Sequence, residues 1–255
     1  MTEQIKTNNP IWIDLSSAAP GEAKSFYGRL FGWEVEELGP EAGGYAFFNL
    51  NGQMVAGVGP TQSPEQPSAW LPYIATDDVE ATLEAVKENG GDVTFGAMDV
   101  METGRMGILR DPGGAVLGLW QPKTMSGFRV QDQPGAFTWM ELTSRDPESA
   151  KRFYTSLFGW GAKTSEGDMP YTEWQVDGRS IGGMTQPGPQ VPEGAPDHWV
   201  VYFASDDVDA TASKASEIGG QVLVGPMDYP GGRFAIIQDP QGGVPFGVVK
   251  SQTGS

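Results

Sequence analysis

The chain has 255 residues, with 33 acidic and 16 basic side chains, a formal charge of −17, no cysteine and a single histidine, His198. The missing cysteines exclude disulfides, thiolate metal sites and cysteine nucleophiles, and one histidine excludes any site within the chain that needs two imidazoles. The acidic balance argues against nucleic acid or an anionic membrane as a partner, because phosphate binding needs a basic surface. No segment approaches the roughly 20 apolar residues of a transmembrane helix, and the polar start lacks the apolar core of a signal peptide. We therefore expect a cytoplasmic protein.

The chain begins with a pattern typical of a β-α-β-β-β module. An apolar strand over Ile11–Leu15 precedes a helix over Glu22–Phe31, whose apolar residues recur at helical spacing and which ends at Gly32. Three strands follow, over Trp33–Leu38, Tyr45–Leu50 and Met54–Val58. The Asn51-Gly52 pair between the last two strands predicts a hairpin.

A second module with the same order follows. A strand over Trp70–Ala75 leads to a helix that begins at Asp77-Asp78 and ends before Gly90-Gly91. Strands are then predicted around Val93–Phe95, Arg105–Leu109 and Ala115–Trp120. Paired glycines such as Gly182-Gly183 are interpreted as turns and bends, since they lack the spacing of a phosphate loop.

The second half of the chain repeats the first. The segments Phe26–Trp33 and Phe153–Trp160 are identical at six of eight positions. Two further segments recur in the same order. The acidic segment at the start of a helix appears as Asp77–Thr82 and Asp206–Thr211, and the Asp-Pro pair appears as Asp111-Pro112 and Asp239-Pro240. Matches in the same order over the whole length indicate tandem domains.

These boundaries predict five segments. They are an N-terminal tail (1–9), a first domain of two modules (10–121), a polar linker (122–134), a second domain of two modules (135–250) and a C-terminal tail (251–255).

Four βαβββ units, the FYxxLFGW segments and the Asp-Pro-x-Gly turns before the last strands resemble the vicinal oxygen chelate superfamily. That superfamily includes glyoxalase I, bleomycin-resistance proteins, fosfomycin-resistance enzymes and extradiol dioxygenases. The resemblance implies an α+β fold of two tandem glyoxalase-like domains. Their four modules would form two open β-sheet cups flanked by helices, with a ligand inside a cup.

The resemblance also implies three metal-ligand positions in each half, on the opening strand, on the first strand of the second module and on the final strand. Here they carry Trp12, Leu71 and Gly118 in the first half, and Trp139, Val200 and Phe246 or Gly247 in the second. These side chains offer no oxygen or nitrogen ligand that a hard or borderline cation requires. We therefore expect no metal ion and no cofactor.

Asp14 and Glu141 each follow the tryptophan of the opening strand by two residues. Alternate strand residues share a face, so both carboxylates are expected inside a cup, where burial would raise their pKa toward general acid/base use. The alternative is a structural carboxylate bonded to neighbouring backbone or to an arginine.

His198 lies two residues before Val200 and is therefore also predicted on the inward face. As a proton shuttle it would pair with Glu141. The alternative is a capped structural histidine that follows Pro196-Asp197. The first half has Ala69 at the matching position, so the functional interpretation predicts chemistry in the second half alone.

Eight residues are candidates for ligand binding. They are Trp12, Tyr45, Tyr73, Arg105, Trp139, Tyr171, Tyr202 and Arg233. The aromatic rings supply stacking surface, although core packing explains many rings of this kind. The two arginines would either hold an anionic or carbonyl-bearing ligand or neutralise the cup carboxylates.

Three functions fit these residues. The favoured one is a metal-independent protein, a monomer or homodimer, that binds an aromatic or carbonyl-bearing small molecule. It would either sequester that compound or act as a lyase, cyclase or isomerase by proton transfer. Glu141, His198 or Asp14 would be the catalytic acid or base, and Arg233 or Tyr202 would stabilise an enolate. The alternatives are a metal-dependent glyoxalase-like lyase or dioxygenase with displaced ligands, and an interaction protein whose cups are not used.

Overall fold

The structure is a computed structural model that describes residues 6–167, 170–189 and 191–251. Positions 1–5 of the predicted N-terminal tail and 252–255 of the predicted C-terminal tail lie outside the described residues. Contacts divide the chain into two compact units. Unit 1 comprises the chain up to Trp12, Pro72–Gly127 and Trp139–Trp199, and unit 2 comprises Ile13–Leu71, Phe128–Thr138 and the chain from Val200 onward.

The first half contains the two predicted modules. Its elements are β1 (Pro10–Ser17), α1 (Pro20–Phe31), β2 (Glu34–Glu37), β3 (Ala46–Leu50), β4 (Gln53–Pro60), β5 (Ala69–Ala75), α2 (Val79–Glu88), β6 (Asp92–Val100), β7 (Gly104–Arg110) and β8 (Val116–Pro122). The eight strands form one sheet in the order β2-β3-β4-β1-β5-β8-β7-β6. The β1–β4 and β5–β8 pairs are parallel, whereas the hairpin pairs are antiparallel.

The second half repeats this arrangement. Its elements are β9 (Phe137–Thr143), α3 (Pro147–Phe158), β10 (Gly161–Thr164), β11 (Thr172–Val176), β12 (Arg179–Thr185), β13 (His198–Ala204), α4 (Val208–Glu217), β14 (Gln221–Tyr229), β15 (Gly232–Gln238) and β16 (Phe246–Ser251). The sheet order is β10-β11-β12-β9-β13-β16-β15-β14. The predicted α+β fold with four βαβββ modules and two open sheets is confirmed.

Helix α1 begins at Pro20, two residues before the predicted start, and ends at the predicted Phe31, and capping residues mark the ends of the helices. Asp78 caps α2 and Asp207 caps α4, and each carboxylate accepts a hydrogen bond from the backbone N–H three residues ahead, at 2.9 and 3.0 Å. Helices α1 and α3 end at Gly32 and Gly159, with φ of 76° and 66°. Glycine adopts this left-handed conformation without a steric penalty. No helix in the described part of the chain is long and apolar enough to cross a membrane.

The Phe-Tyr and Asp-Pro motifs meet in the core of unit 2. The indole Nε1 of Trp70 donates a hydrogen bond to the Tyr27 hydroxyl (3.0 Å), and that hydroxyl donates to Oδ2 of Asp239 (3.1 Å). All three side chains are buried. Burial raises the pKa of Tyr27 well above its ordinary value, and desolvation raises the pKa of Asp239.

Unit 1 contains the same three-residue chain. Trp199 Nε1 donates to the Tyr154 hydroxyl (3.0 Å), which donates to Oδ2 of Asp111 (2.9 Å). Burial again raises the pKa of both Tyr154 and Asp111. The repeated motifs are therefore structural, because each satisfies three buried polar groups at once.

We expect Asp239→Asn to destabilise the protein more at pH 4 than at pH 7. The pKa of Asp239 is raised above 3.8 in the folded state, so the folded protein retains a proton that the unfolded chain has lost. The stability contributed by this proton is complete below pH 3.8 and is lost as the pH rises through the raised pKa. Asparagine does not titrate, so the difference in the free energy of unfolding between wild type and variant should shrink with rising pH. Urea unfolding across this range measures it, and a difference that grows with pH would contradict the prediction.

Candidate functional site

Unit 2 brings a carboxylate and a phenol together on the open sheet. Asp14 on β1 is half-buried and lies in register with Gly57 on β4. The Tyr45 hydroxyl donates a hydrogen bond of 2.6 Å to Oδ1 of Asp14. A Cβ atom on Gly57 would overlap both the Tyr45 hydroxyl and the Asp14 carboxylate. Glycine therefore makes the space in which these two groups meet; we call Asp14, Tyr45 and Gly57 the Asp14 site.

Unit 1 holds the matching arrangement from the second half of the chain. Glu141 on β9 lies in register with Gly183 on β12. Trp139, two residues before Glu141 on the same strand face, donates from Nε1 to the Tyr171 hydroxyl at 3.0 Å. A Cβ on Gly183 would overlap that hydroxyl. Trp139, Glu141, Tyr171 and Gly183 form what we call the Glu141 site.

Two further tyrosines cover glycines on the final strands. Tyr73 on β5 lies in register with Gly118 on β8 in unit 1, and Tyr202 on β13 lies in register with Gly247 on β16 in unit 2. The tyrosines are only 5% and 6% exposed. A Cβ on either glycine would overlap the tyrosine ring beside it. The phenol rings thus fill the space into which a side chain from either glycine position would extend.

The residues at the implied metal positions do not fit a divalent cation. Trp12 is a buried indole on β1, and the β8 position is a glycine covered by Tyr73. Leu71 and Val200 have aliphatic side chains, which do not coordinate cations. Within residues 6–167, 170–189 and 191–251, no group of three or more histidine, aspartate or glutamate side chains is placed to hold a metal ion.

His198 lies half-buried at the start of β13. Its Nδ1 atom is 3.3 Å from the carbonyl oxygen of Pro196. This contact agrees with the capped structural histidine that the sequence left open. The pairing of His198 with Glu141 as a proton shuttle stays a prediction.

The two arginines are engaged by carboxylates. Arg105 binds Glu80 of α2 and lies 3.0 Å from Asp99. Arg105 is two residues from Gly107, where a Cβ would contact Leu83 of α2, so this guanidinium lies on the helix side of β7. Gly118 pairs in register with Ile108, which points to the other face of β7 because it is next to Gly107 in the strand. Arg105 and Gly118 therefore lie on opposite faces of the sheet.

Arg233 has the equivalent environment in unit 2. It binds Asp209 of α4 at 2.7 Å and Asp228 at 2.9 Å. The hydrogen bond from Arg233 holds the pKa of Asp209 below its ordinary value. Each arginine therefore binds one carboxylate from a helix and one from a strand. The role of the two arginines in holding a ligand stays a prediction.

Glycine is the signal that the sequence analysis missed. Gly183 was expected in a turn, but it lies inside β12 (Arg179–Thr185), and this interpretation was wrong. Gly57, Gly118 and Gly247 also lie within strands. A glycine inside a strand marks a close approach of another group, and in each of these four places that group is a tyrosine.

Comparisons with known proteins place the chain in a family. Residues 12–119 and 136–246 match the Glyoxalase/Bleomycin resistance protein/Dioxygenase superfamily. CFP32 of Mycobacterium tuberculosis, whose given name includes the word glyoxylase, is 39% identical over 97% of this chain and 96% of that protein. The anthracycline biosynthesis protein DnrV of Streptomyces peucetius is 35% identical over 96% of this chain and 94% of that protein.

Solved structures show the same fold at low sequence identity. The Mn(II)-bound glyoxalase from Novosphingobium aromaticivorans superimposes with a TM-score of 0.68 at 16% identity, over 96% of this chain and 82% of that one. The 2,3-dioxygenase LapB from Pseudomonas sp. KL28 gives the same TM-score at 15% identity, over 98% and 94%. By sequence and by fold, the chain belongs to the Glyoxalase/Bleomycin resistance protein/Dioxygenase superfamily.

Proposed function

We propose that this protein binds an aromatic or carbonyl-bearing small molecule and transfers a proton on it without a metal ion. The Asp14 site carries the proposal. The hydrogen bond of 2.6 Å from the Tyr45 hydroxyl to a half-buried Asp14 joins an acid and a base on one sheet face. A general base positioned beside a hydroxyl donor is the arrangement that enolisation requires.

The reaction class follows from the two groups. Asp14 removes a proton from the carbon next to a substrate carbonyl, and the bonding electrons move onto the carbonyl oxygen as an enolate. Protonated Asp14 is a weaker hydrogen-bond acceptor than the carboxylate. The Tyr45 hydroxyl then donates its hydrogen bond to the enolate oxygen instead. Return of the proton to another carbon gives an isomerisation. Loss of a hydroxyl group from the β-carbon as water, with the proton supplied by Asp14, gives a dehydration. Attack of the enolate carbon on a second carbonyl, whose oxygen then takes the proton from Asp14, gives a cyclisation.

The Glu141 site supplies the same residue types and is included in the proposal. There Trp139 donates to the Tyr171 hydroxyl, so that the indole orients the phenol beside the strand that carries Glu141. The contact of His198 Nδ1 with Pro196 leaves Nε2 as the nitrogen that could assist Glu141, whereas the Tyr45 hydroxyl already lies 2.6 Å from Asp14. We therefore assign the first proton transfer to Asp14 and keep Glu141 as the second candidate base.

Metal independence is supported by the side chains that replace the family's ligands. Tyr73 and Tyr202 cover the two glycines of the final strands, and Trp12 takes the place of a ligand on β1. Divalent cations in this fold would need oxygen or nitrogen donors at these positions. A metal-dependent glyoxalase or dioxygenase with displaced ligands is the alternative.

The relatives indicate the class of substrate. Two proteins that are 35% identical to this chain, DauV and DnrV, are named as anthracycline biosynthesis proteins. Anthracyclines are planar polycyclic compounds that carry ring carbonyls and phenols. The net charge of −17 further favours a neutral or cationic substrate over an anionic one. We propose a planar aromatic ketone, handled in the cytoplasm.

A binding assay with a dihydroxyanthraquinone tests this proposal. We expect the probe to raise the melting temperature of the full chain, because a ligand that binds only the folded state stabilises it. Gly57→Ala, which crowds the Tyr45 hydroxyl and the Asp14 carboxylate, should reduce that shift. Elemental analysis of protein purified without chelator should find no stoichiometric Mn, Fe, Ni or Zn. Stoichiometric metal would overturn the metal-independent assignment, and no shift with any planar aromatic ketone would overturn the substrate class.

A protein that only sequesters its ligand would give the same thermal shift. Turnover separates the two functions. The turnover probe is 1-tetralone, an aromatic ketone that, unlike an anthraquinone, carries hydrogen on the carbon next to its carbonyl. Exchange of this hydrogen for solvent deuterium, followed by NMR, indicates enolisation, whereas binding without exchange indicates sequestration.

A further inference from the structure

A cleft of about 280 Å³ lies in unit 2, separate from the Asp14 site. It is lined by the end of α1, a short stretch before β9 and the start of α4. Leu30, Phe31 and Pro134 supply apolar surface, and Asp206 and Lys214 supply charge. The Lys214 ammonium donates to the carbonyl oxygen of Leu30 at 3.2 Å.

Unit 1 shows what occupies the corresponding place there. The backbone N–H of Asn8 donates to the carbonyl of Ala75 at 2.8 Å, which fixes the segment before β1 beside the end of β5. The hydroxyl of Thr7 then donates to Oδ1 of Asp77 at 2.7 Å. A hydrogen-bond donor therefore lies against the acidic residue that precedes α2.

Unit 2 has the same backbone but no such donor. The N–H of Gly135 donates to the carbonyl of Ala204 at 2.8 Å, so Pro134 takes the position of Thr7 and Asp206 takes the position of Asp77. Proline has no side-chain donor. Asp206 is exposed, and among the residues that the structure describes its carboxylate has no hydrogen bond or ion pair.

We propose that the cleft binds a small primary ammonium compound with a compact apolar body. Its ammonium would donate to Asp206 as Thr7 donates to Asp77 in unit 1, and its apolar part would contact Phe31, Leu30 and Pro134. A hydrogen bond between an ammonium and a carboxylate is stronger than one from a neutral hydroxyl. The net charge of −17 raises the local concentration of cations.

NMR titration of the full chain with 2-phenylethylammonium chloride tests the proposal. We expect saturable shifts at the backbone amides of Ala204, Ser205, Ala210 and Lys214, with a Kd on the order of millimolar for so small a ligand. Asp206→Asn should weaken the Kd about tenfold by removing the charged acceptor. Pro134→Thr should abolish the shifts, because it supplies the hydroxyl that unit 1 already has at Thr7.

The controls separate the cleft from general effects of charge. Asp92→Asn removes an exposed carboxylate on β6 and should leave the Kd unchanged. The titrations are made at constant ionic strength, and the shifts should be retained under that condition. Neutral 2-phenylethanol should bind more weakly than the ammonium. Unchanged affinity in both Asp206→Asn and Pro134→Thr, or shifts that do not saturate, would overturn the inference. Neither result bears on the Asp14 site, which the dihydroxyanthraquinone assay reports separately.

Discussion

Asp14→Asn is expected to lower turnover by about 10²- to 10⁴-fold, the usual contribution of a positioned general base. Asparagine retains the size of aspartate, but its amide does not accept a proton at neutral pH. The Tyr45 hydroxyl now bonded to Asp14 at 2.6 Å would still find an acceptor oxygen, so the fold should be retained. The measurement is deuterium exchange at the α-carbon of 1-tetralone, with binding followed separately by the thermal shift.

Three matched variants make this result specific. Asp92→Asn makes the same change in net charge on the exposed part of β6 and should leave turnover unchanged. Tyr45→Phe retains the base but removes the hydrogen bond to the enolate, so a smaller loss is expected. Glu141→Gln tests the second candidate base; a loss as large as that of Asp14→Asn would mean that both sites are used. Full turnover in Asp14→Asn would contradict the assignment of Asp14 as the base.

Tyr154→Phe is expected to lower the free energy of unfolding by about 2–4 kcal/mol. The substitution removes one oxygen atom but leaves two buried groups without a partner, the Nε1 donor of Trp199 and an acceptor oxygen of Asp111. A buried group that loses its hydrogen-bond partner costs about 1–3 kcal/mol. Tyr27→Phe should have a similar effect, since Trp70 and Asp239 surround it in the same way. Chemical denaturation at neutral pH measures both.

A double-mutant cycle supplies the control for this prediction. Tyr154 and Asp111 are in direct contact, so their substitutions should not be additive. Once Asp111→Ala is present, Tyr154→Phe should cost less than it does alone, because the carboxylate oxygen that it would leave unsatisfied is already gone. Additive losses would show that the buried hydrogen bond contributes little.

The sequence by itself determined the modules and their repetition. Hydrophobic spacing, the helix-capping Asp78 and Asp207 and the glycine that ends each FYxxLFGW helix are local signals, and they depend on residues at most a few positions apart. The positions of Trp12 and Gly118, where the resemblance implies metal ligands, could be counted along the same strands. For this reason the fold could be predicted without coordinates, whereas metal independence stays a prediction.

Tertiary structure alone decided which side chains meet. Tyr27 and Asp239 lie 212 positions apart, and no local pattern reports that they are hydrogen-bonded. The Tyr45–Asp14 bond likewise depends on the register of β1 with β4, which brings Gly57 beneath both groups. Strand alternation and the position of α2 bring Arg105 to Glu80, a contact that no local pattern indicated, and its role in holding a ligand stays a prediction. Periodicity in a sequence gives the face of a strand, whereas the pairing register and the helix packed on that face are non-local, and they determine each side chain's partner.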